Sequence, residues 1–127
     1  MPSYRTSLSR VKGLGSAHEG TEHFWMQRVT GAINFILLLF VLFSAICVIG
    51  QPYDVVRGYF ASPIVAALSI LFTISATYHM RIGMQVVVED YIHSPAPKLV
   101  LLFLNTVFAA LVALTAIIAI IKLSLGA

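Results

Sequence analysis

Charge is what this sequence has least of. Only 10% of its 127 residues are Asp, Glu, Lys or Arg, where a soluble domain carries roughly 25%. So few charges cannot furnish a water-facing surface, so the chain is a membrane protein. It has one cysteine, Cys47, inside an apolar run. That excludes an intrachain disulfide and any CxxC metal or redox site, and Cys47 reads as a small packed residue. No nucleophile elbow, phosphate loop, HExxH helix or dinucleotide fingerprint is present. Hydrolysis and nucleotide chemistry have no support, and no catalytic residue is assigned. The basic residues near the N-terminus are too sparse to argue for nucleic acid. There is no internal repeat and no low-complexity run. The length suits one domain, residues 1–127.

What is present is apolar sequence in three long blocks. About 20 apolar residues cross a bilayer as a helix. Residues 29–49 form an uncharged run, ended by Gly50-Gln51-Pro52. A second span is expected over 60–88, with Ser62-Pro63 as N-cap and first helical position. Its last turns exceed what a bilayer needs and should project into the interface, and Ser94, Pro95 and Pro97 should stop it. The third span, 99–121, carries no charge and ends at Lys122. Residues 51–59 read as a short loop with Asp54 and Arg57. The expected fold is all-α, three membrane helices. Asn34, Ser44, Asn105 and Thr106 are polar exceptions of the kind that bond to backbone or to a neighbouring helix.

Residues 1–28 read as an N-terminal segment on the cytoplasmic side. No apolar signal-peptide core follows it, and no Arg-rich, acid-poor transit segment is seen, which favours a bacterial membrane. Part of the segment is expected to be poorly ordered in the isolated chain. Trp25 and Arg28 suit the interface. Basic residues set the orientation: Arg5, Arg10, Lys12, Arg28, Arg81 and Lys98 lie on the N-terminal side, against Arg57 and Lys122 on the other. The N-terminus is therefore expected in the cytoplasm and the C-terminus in the periplasm. His18, Glu89 and His93 read as solvated.

Polar chemistry re-enters the second span at residues 79–91. His79 is the only histidine inside a span, and ionisable groups at membrane depth are costly enough to be functional candidates by default. Eleven residues on a helix return to within about 20° of the same face. His79 and Asp90 thus share a stripe, about 16 Å apart along the axis, and Gly83 falls on it as a side-chain-free spot. This arrangement could hold a flat cofactor beside a polar pocket. The residues alone leave His79 open as a metal ligand, a proton relay or a neutral imidazole bonded to another helix. If it ligates haem iron in six-coordinate form, the second ligand must come from another chain, because no other histidine lies at that depth. Arg81, about 160° from His79, could snorkel, meet a haem propionate or pair with a partner's acid. Interfacial Tyr91 is by itself an ordinary anchor.

The string His79-x-x-x-Gly83-Met84-x-x-x-x-x-Asp90-Tyr91, leaving the second of three spans, resembles the signature of the hydrophobic membrane anchor (D) subunits of bacterial succinate dehydrogenase, respiratory complex II. The segment His23-Phe24-Trp25-x-Gln27-Arg28 ahead of the first span agrees. The resemblance implies a chain that docks the flavoprotein and iron–sulfur subunits and pairs with a second three-span subunit, cytochrome b556. Together the two would bind one haem b and form a ubiquinone site, for electron transfer from succinate to ubiquinone. It implies that His79 is an axial iron ligand and that Asp90 and Tyr91 belong to the quinone pocket. Arg28 would lie near the haem propionates and that pocket. Position 81 departs from the tryptophan of some members, and Arg81 receives no family role. Fumarate reductase anchors, other small cytochrome b subunits and a cofactor-free structural subunit are the alternatives.

Overall fold

The computed structural model describes residues 6–12 and 19–126. Among these residues the chain is all-α, and three helices are long and apolar enough to cross a membrane. Short α1 (Ser7–Val11) precedes α2 (Glu19–Val48), α3 (Tyr53–Phe60), α4 (Pro63–Tyr91) and α5 (Pro95–Leu125). Arg5 and His18, and the expected disorder of the segments around them, lie outside the described residues.

Each long helix extends past its apolar run. At 1.5 Å per residue, 29 residues make about 43 Å, against a hydrocarbon core of about 30 Å. The extra turns carry the interfacial residues. In α2 they include Glu22, His23, Trp25 and Arg28, and in α4 they run on to Asp90 and Tyr91. Intrahelical hydrogen bonding continues there because no breaker intervenes. Helix α2 stops where Gly50 takes φ 73°, a left-handed turn that a side chain would disfavour.

One expectation about the connections is corrected, and another is extended. The segment read as a loop after the first span holds an eight-residue helix, α3, with Pro52 ahead of it and Asp54 in its first turn. Its eight residues mix apolar Val55, Val56 and Tyr59 with polar Asp54 and Arg57, a pattern suited to lying along the bundle end rather than crossing. Helix α4 ends at Tyr91, ahead of Ser94, Pro95 and Pro97 as expected, and the same two prolines also open α5, which starts earlier than the expected third span. Ser94 is its N-cap and Pro95 its first residue, where a missing N–H has no intrahelical partner to lose. The α4–α5 connection is therefore three residues long, 92–94. Lys98 Nζ donates to the Glu89 carbonyl at 3.0 Å, satisfying one of the free acceptors at the end of α4.

Helix α4 is central. It packs against α2 on one side and α5 on the other, while no Cα of α2 lies within 8 Å of one in α5 among the described residues. The result is a layer rather than a closed bundle. Its apolar interior is small: Leu37, Ala66, Ile82, Val88 and Ala109 are the buried apolar residues, and both faces of the layer expose large apolar side chains. Lipid or another helical subunit must cover them.

Polar side chains fasten the layer. Asn105 Nδ2 donates to the Arg81 carbonyl at 2.9 Å, and Arg81 Nε donates to Thr106 Oγ1 at 3.2 Å. Arg81 is thus half-buried against α5 and turned from His79, which faces α2. At the other end Ser44 Oγ, donating to the Phe40 carbonyl, lies 2.9 Å from the Tyr59 hydroxyl. That contact ties α3 to α2.

Candidate functional site

The seam between α2 and α4 is where small and polar residues of both helices meet. On α2 these are Gln27, Thr30, Gly31 and Asn34, at helical spacing of three, one and three. They therefore share one face. Facing them on α4 are Ser75, His79 and Gly83, spaced by four. Small residues let two membrane helices approach closely, and polar ones bond across the gap.

His79 sits in the middle of this seam, half-buried. Its Nδ1 is 2.9 Å from Thr30 Oγ1, and its Nε2 is 3.5 Å from Gln27 Nε2. The ring lies against the backbone of Gly31, where an added Cβ would come within 3.3 Å of Cε1. Gly83 also faces α2: a Cβ there would meet Gln27 Nε2 at 3.3 Å. Asn34 Nδ2 donates to the Ser75 carbonyl at 3.5 Å. Three buried side-chain atoms in the seam, Gln27 Oε1, Asn34 Oδ1 and Ser75 Oγ, have no hydrogen-bond partner. An unpartnered buried polar atom is costly, and three lie within about a turn or two of one histidine.

Two grooves open beside the ring. One, of about 400 Å³, runs toward the far end of the helices, with Phe35, Leu38 and Phe72 among its walls and Gly31, His79 and Met80 at its edge. The other, of about 420 Å³, runs toward the end carrying the N-terminus and is lined by His23, Phe24, Gln27, Arg28 and Val86. Gln27 lies between the two. Both grooves are lined by α2 and α4 alone, so a second subunit can reach them.

The remaining expected site residues stand at one end of the layer. Arg28 is exposed, its guanidinium carbon 4.1 Å from the Phe24 ring centroid. Cation–π contact holds it at the mouth of the second groove. Asp90 and Tyr91 occupy the last turn of α4. Tyr91 is 77% exposed, which leaves its hydroxyl available to a ligand or to another chain. The structure brings His79 together with Thr30, Gly31 and Gln27, which sequence reading had not grouped with it. It does not bring Arg28, Asp90 or Tyr91 into hydrogen bonds with one another. The signal for the missed residues was the spacing of Gln27, Thr30, Gly31 and Asn34 along one stripe of an otherwise apolar helix.

This site can offer one imidazole nitrogen to a metal within an apolar cleft, and basic and phenolic groups at the cleft's interfacial end. Among the described residues no three His, Cys, Asp or Glu side chains cluster. The fold and site define a multi-pass membrane subunit, built to be completed by other chains.

Sequence comparison gives the family. Residues 2–118 match the succinate dehydrogenase/fumarate reductase transmembrane subunit family. The chain is 30% identical over 124 residues to the succinate dehydrogenase hydrophobic membrane anchor subunit of Paracoccus denitrificans, covering 98% of this chain and 95% of that one. It is 27% identical to the subunit of the same name from Rickettsia bellii, over 92% and 94% of the two chains. Against the succinate dehydrogenase membrane anchor subunit of Reclinomonas americana the identity is 33%, over 71% and 78%. The chain belongs to the succinate dehydrogenase membrane anchor family.

Proposed function

We propose that this chain anchors the flavoprotein and iron–sulfur subunits of a succinate dehydrogenase to the membrane, contributes one axial ligand to a haem b, and forms part of a ubiquinone site. The observation that carries the reading is His79: a half-buried imidazole at membrane depth, set beside an apolar groove that is open to a second chain. The glycine against its ring, the aromatic and aliphatic groove walls and the unpartnered polar atoms around it fit a flat, mostly apolar group with polar edges. The second ligand comes from a partner, for which the cytochrome b556 subunit is the candidate.

When bound, haem b supplies one-electron redox chemistry. The residues of this chain do the rest of the work assigned to it. His79 would hold the iron through its imidazole, whose ring is held against α2 by Thr30 and Gly31. Arg28, at the groove mouth, offers a guanidinium that suits carboxylate propionates bidentately. Tyr91 donates its hydroxyl to a quinone carbonyl, whose oxygen gains negative charge as electrons arrive, and a donor placed there favours reduction. A carboxylate at Asp90 cannot donate, so its role there is to orient a neighbouring donor or a water on a proton path.

The distribution of basic residues supports a cytoplasmic N-terminus, with Arg28 and Asp90-Tyr91 on that side of a bacterial inner membrane and Lys122 on the periplasmic side. The soluble catalytic subunits then dock over the Tyr91 end. The flavin and iron–sulfur centres belong to those subunits.

The test compares two activities of the purified complex. Tyr91→Phe should lower succinate:ubiquinone reduction while succinate-driven reduction of an artificial dye by the soluble subunits persists. Equal loss of both would mark an assembly defect and count against a quinone-site role. Unchanged quinone reduction would remove Tyr91 from the site.

A further inference from the structure

The hydrogen bonds around His79 decide which of its nitrogens carries the proton. Thr30 Oγ1 lies 2.6 Å from the Met26 carbonyl and 3.3 Å from that of Gln27. A separation of 2.6 Å between a hydroxyl and a carbonyl requires the hydroxyl hydrogen to sit between them, since two lone pairs would otherwise face each other. The proton of Thr30 is therefore committed to its own helix, and its oxygen is left as an acceptor. His79 Nδ1, 2.9 Å away, must then be the donor. A neutral imidazole with its proton on Nδ1 has a free lone pair on Nε2. The contact at Nε2 agrees: Gln27 directs its amide nitrogen, a donor, toward that atom at 3.5 Å. This is long for a hydrogen bond and easily given up to a shorter bond.

We propose that Thr30 is the positioning residue of His79, holding the imidazole by Nδ1–H so that Nε2 is presented without a proton to the iron. The inference rests on the haem-ligand role proposed for His79. Thr30 touches neither the iron nor the quinone and acts through the ring. Two consequences follow from the hydrogen bond. It fixes ring rotation and tautomer, so only the Gln27 amide has to withdraw for Nε2 to bind. It also raises the electron density on the imidazole, making it a stronger ligand that favours the oxidised iron. Outer partners of this kind are typically worth roughly 10–100-fold in metal affinity.

The test uses the whole purified complex and three variants: Thr30→Val, which keeps the shape and removes the hydroxyl, Thr30→Ala, and Thr30→Ser, which keeps the hydroxyl. Haem transfer to excess apomyoglobin measures retention, and a redox titration of the b-type absorption gives the midpoint potential. Thr30→Val should release haem roughly 10–100-fold faster and shift the midpoint to higher potential, and Thr30→Ser should restore both. A merely structural role would not move the potential and then recover it with serine. Wild-type release and potential in Thr30→Val, or a serine variant that behaves like valine, would overturn the proposal. Should valine fail to assemble, alanine takes its place with the same expectation. Failure of both to assemble would make Thr30 a packing residue and overturn it as well. A wild-type complex without a b-type signal, or a His79→Ala complex that keeps one unchanged, strikes instead at the haem reading beneath it.

Discussion

Gly31 and His79 are fitted to each other across the α2–α4 seam, with the imidazole Cε1 only 3.3 Å from where a Cβ on residue 31 would stand. The ring uses the space that an alanine would begin to fill. Gly31→Ala needs a shift of a few tenths of an ångström, whereas Gly31→Val needs the ring or the helix to move. Overpacking of this kind costs about 1–3 kcal/mol. The expected outcome is graded loss of b-type haem from the purified complex, small for alanine and large for valine, with all subunits still present. Haem content per complex checks it, and a valine variant with full haem content would contradict the assignment of this face.

Tyr59 joins the short helix to the first span through Ser44. The Ser44 hydroxyl keeps its bond to Phe40 when the phenol is removed, so no buried donor is stranded. Tyr59→Phe should therefore cost only about 0.6 kcal/mol, the average for an interhelical hydrogen bond in a membrane protein. Thermal unfolding of the detergent-solubilised complex measures this, and quinone reduction should be unaffected.

The side-chain bond from Asn105 to the Arg81 carbonyl should be worth more than an average contact because it crosses the middle of the α4–α5 pair. Asn105→Leu removes it, and a loss of about 0.6–1.7 kcal/mol is expected, again by thermal unfolding. The haem spectrum should stay as in the wild type, because Arg81 faces α5 while His79 faces α2.

The end of α5 offers a local test. Gly126 has φ 77°, and the guanidinium of Arg57 lies against it where a Cβ would stand. The cation also complements the negative end of the helix. Gly126→Ala should cost about 1–2 kcal/mol from the left-handed backbone alone and more from displacing Arg57. In an Arg57→Ala background the second part should disappear. Hydrogen exchange of the amides in the last turn of α5 reports the difference.

Hydropathy made the three spans legible, because about 20 uncharged residues in a row have few other uses. The stretch from His79 to Tyr91 stood out for the same reason: a histidine is conspicuous where everything around it is apolar. The partners of that histidine were not legible. The spacing of Gln27, Thr30, Gly31 and Asn34 puts them on one stripe of α2, but it does not say which helix that stripe meets, and only packing against α4 brings them to His79. Helix α3 was missed because eight residues between two spans look like a loop until their apolar side is set against the bundle. Pro95 and Pro97 bound the second span as expected, but proline starts a helix as well as stopping one, so the early start of α5 at Pro95 was not legible.

The most direct test is the reduced-minus-oxidised absorption spectrum of the purified native complex, wild type against His79→Ala. The account predicts a b-type signal in the wild type that vanishes or shifts in the variant while the other subunits remain assembled. An unchanged signal in His79→Ala, or no b-type signal in the wild type, would contradict it.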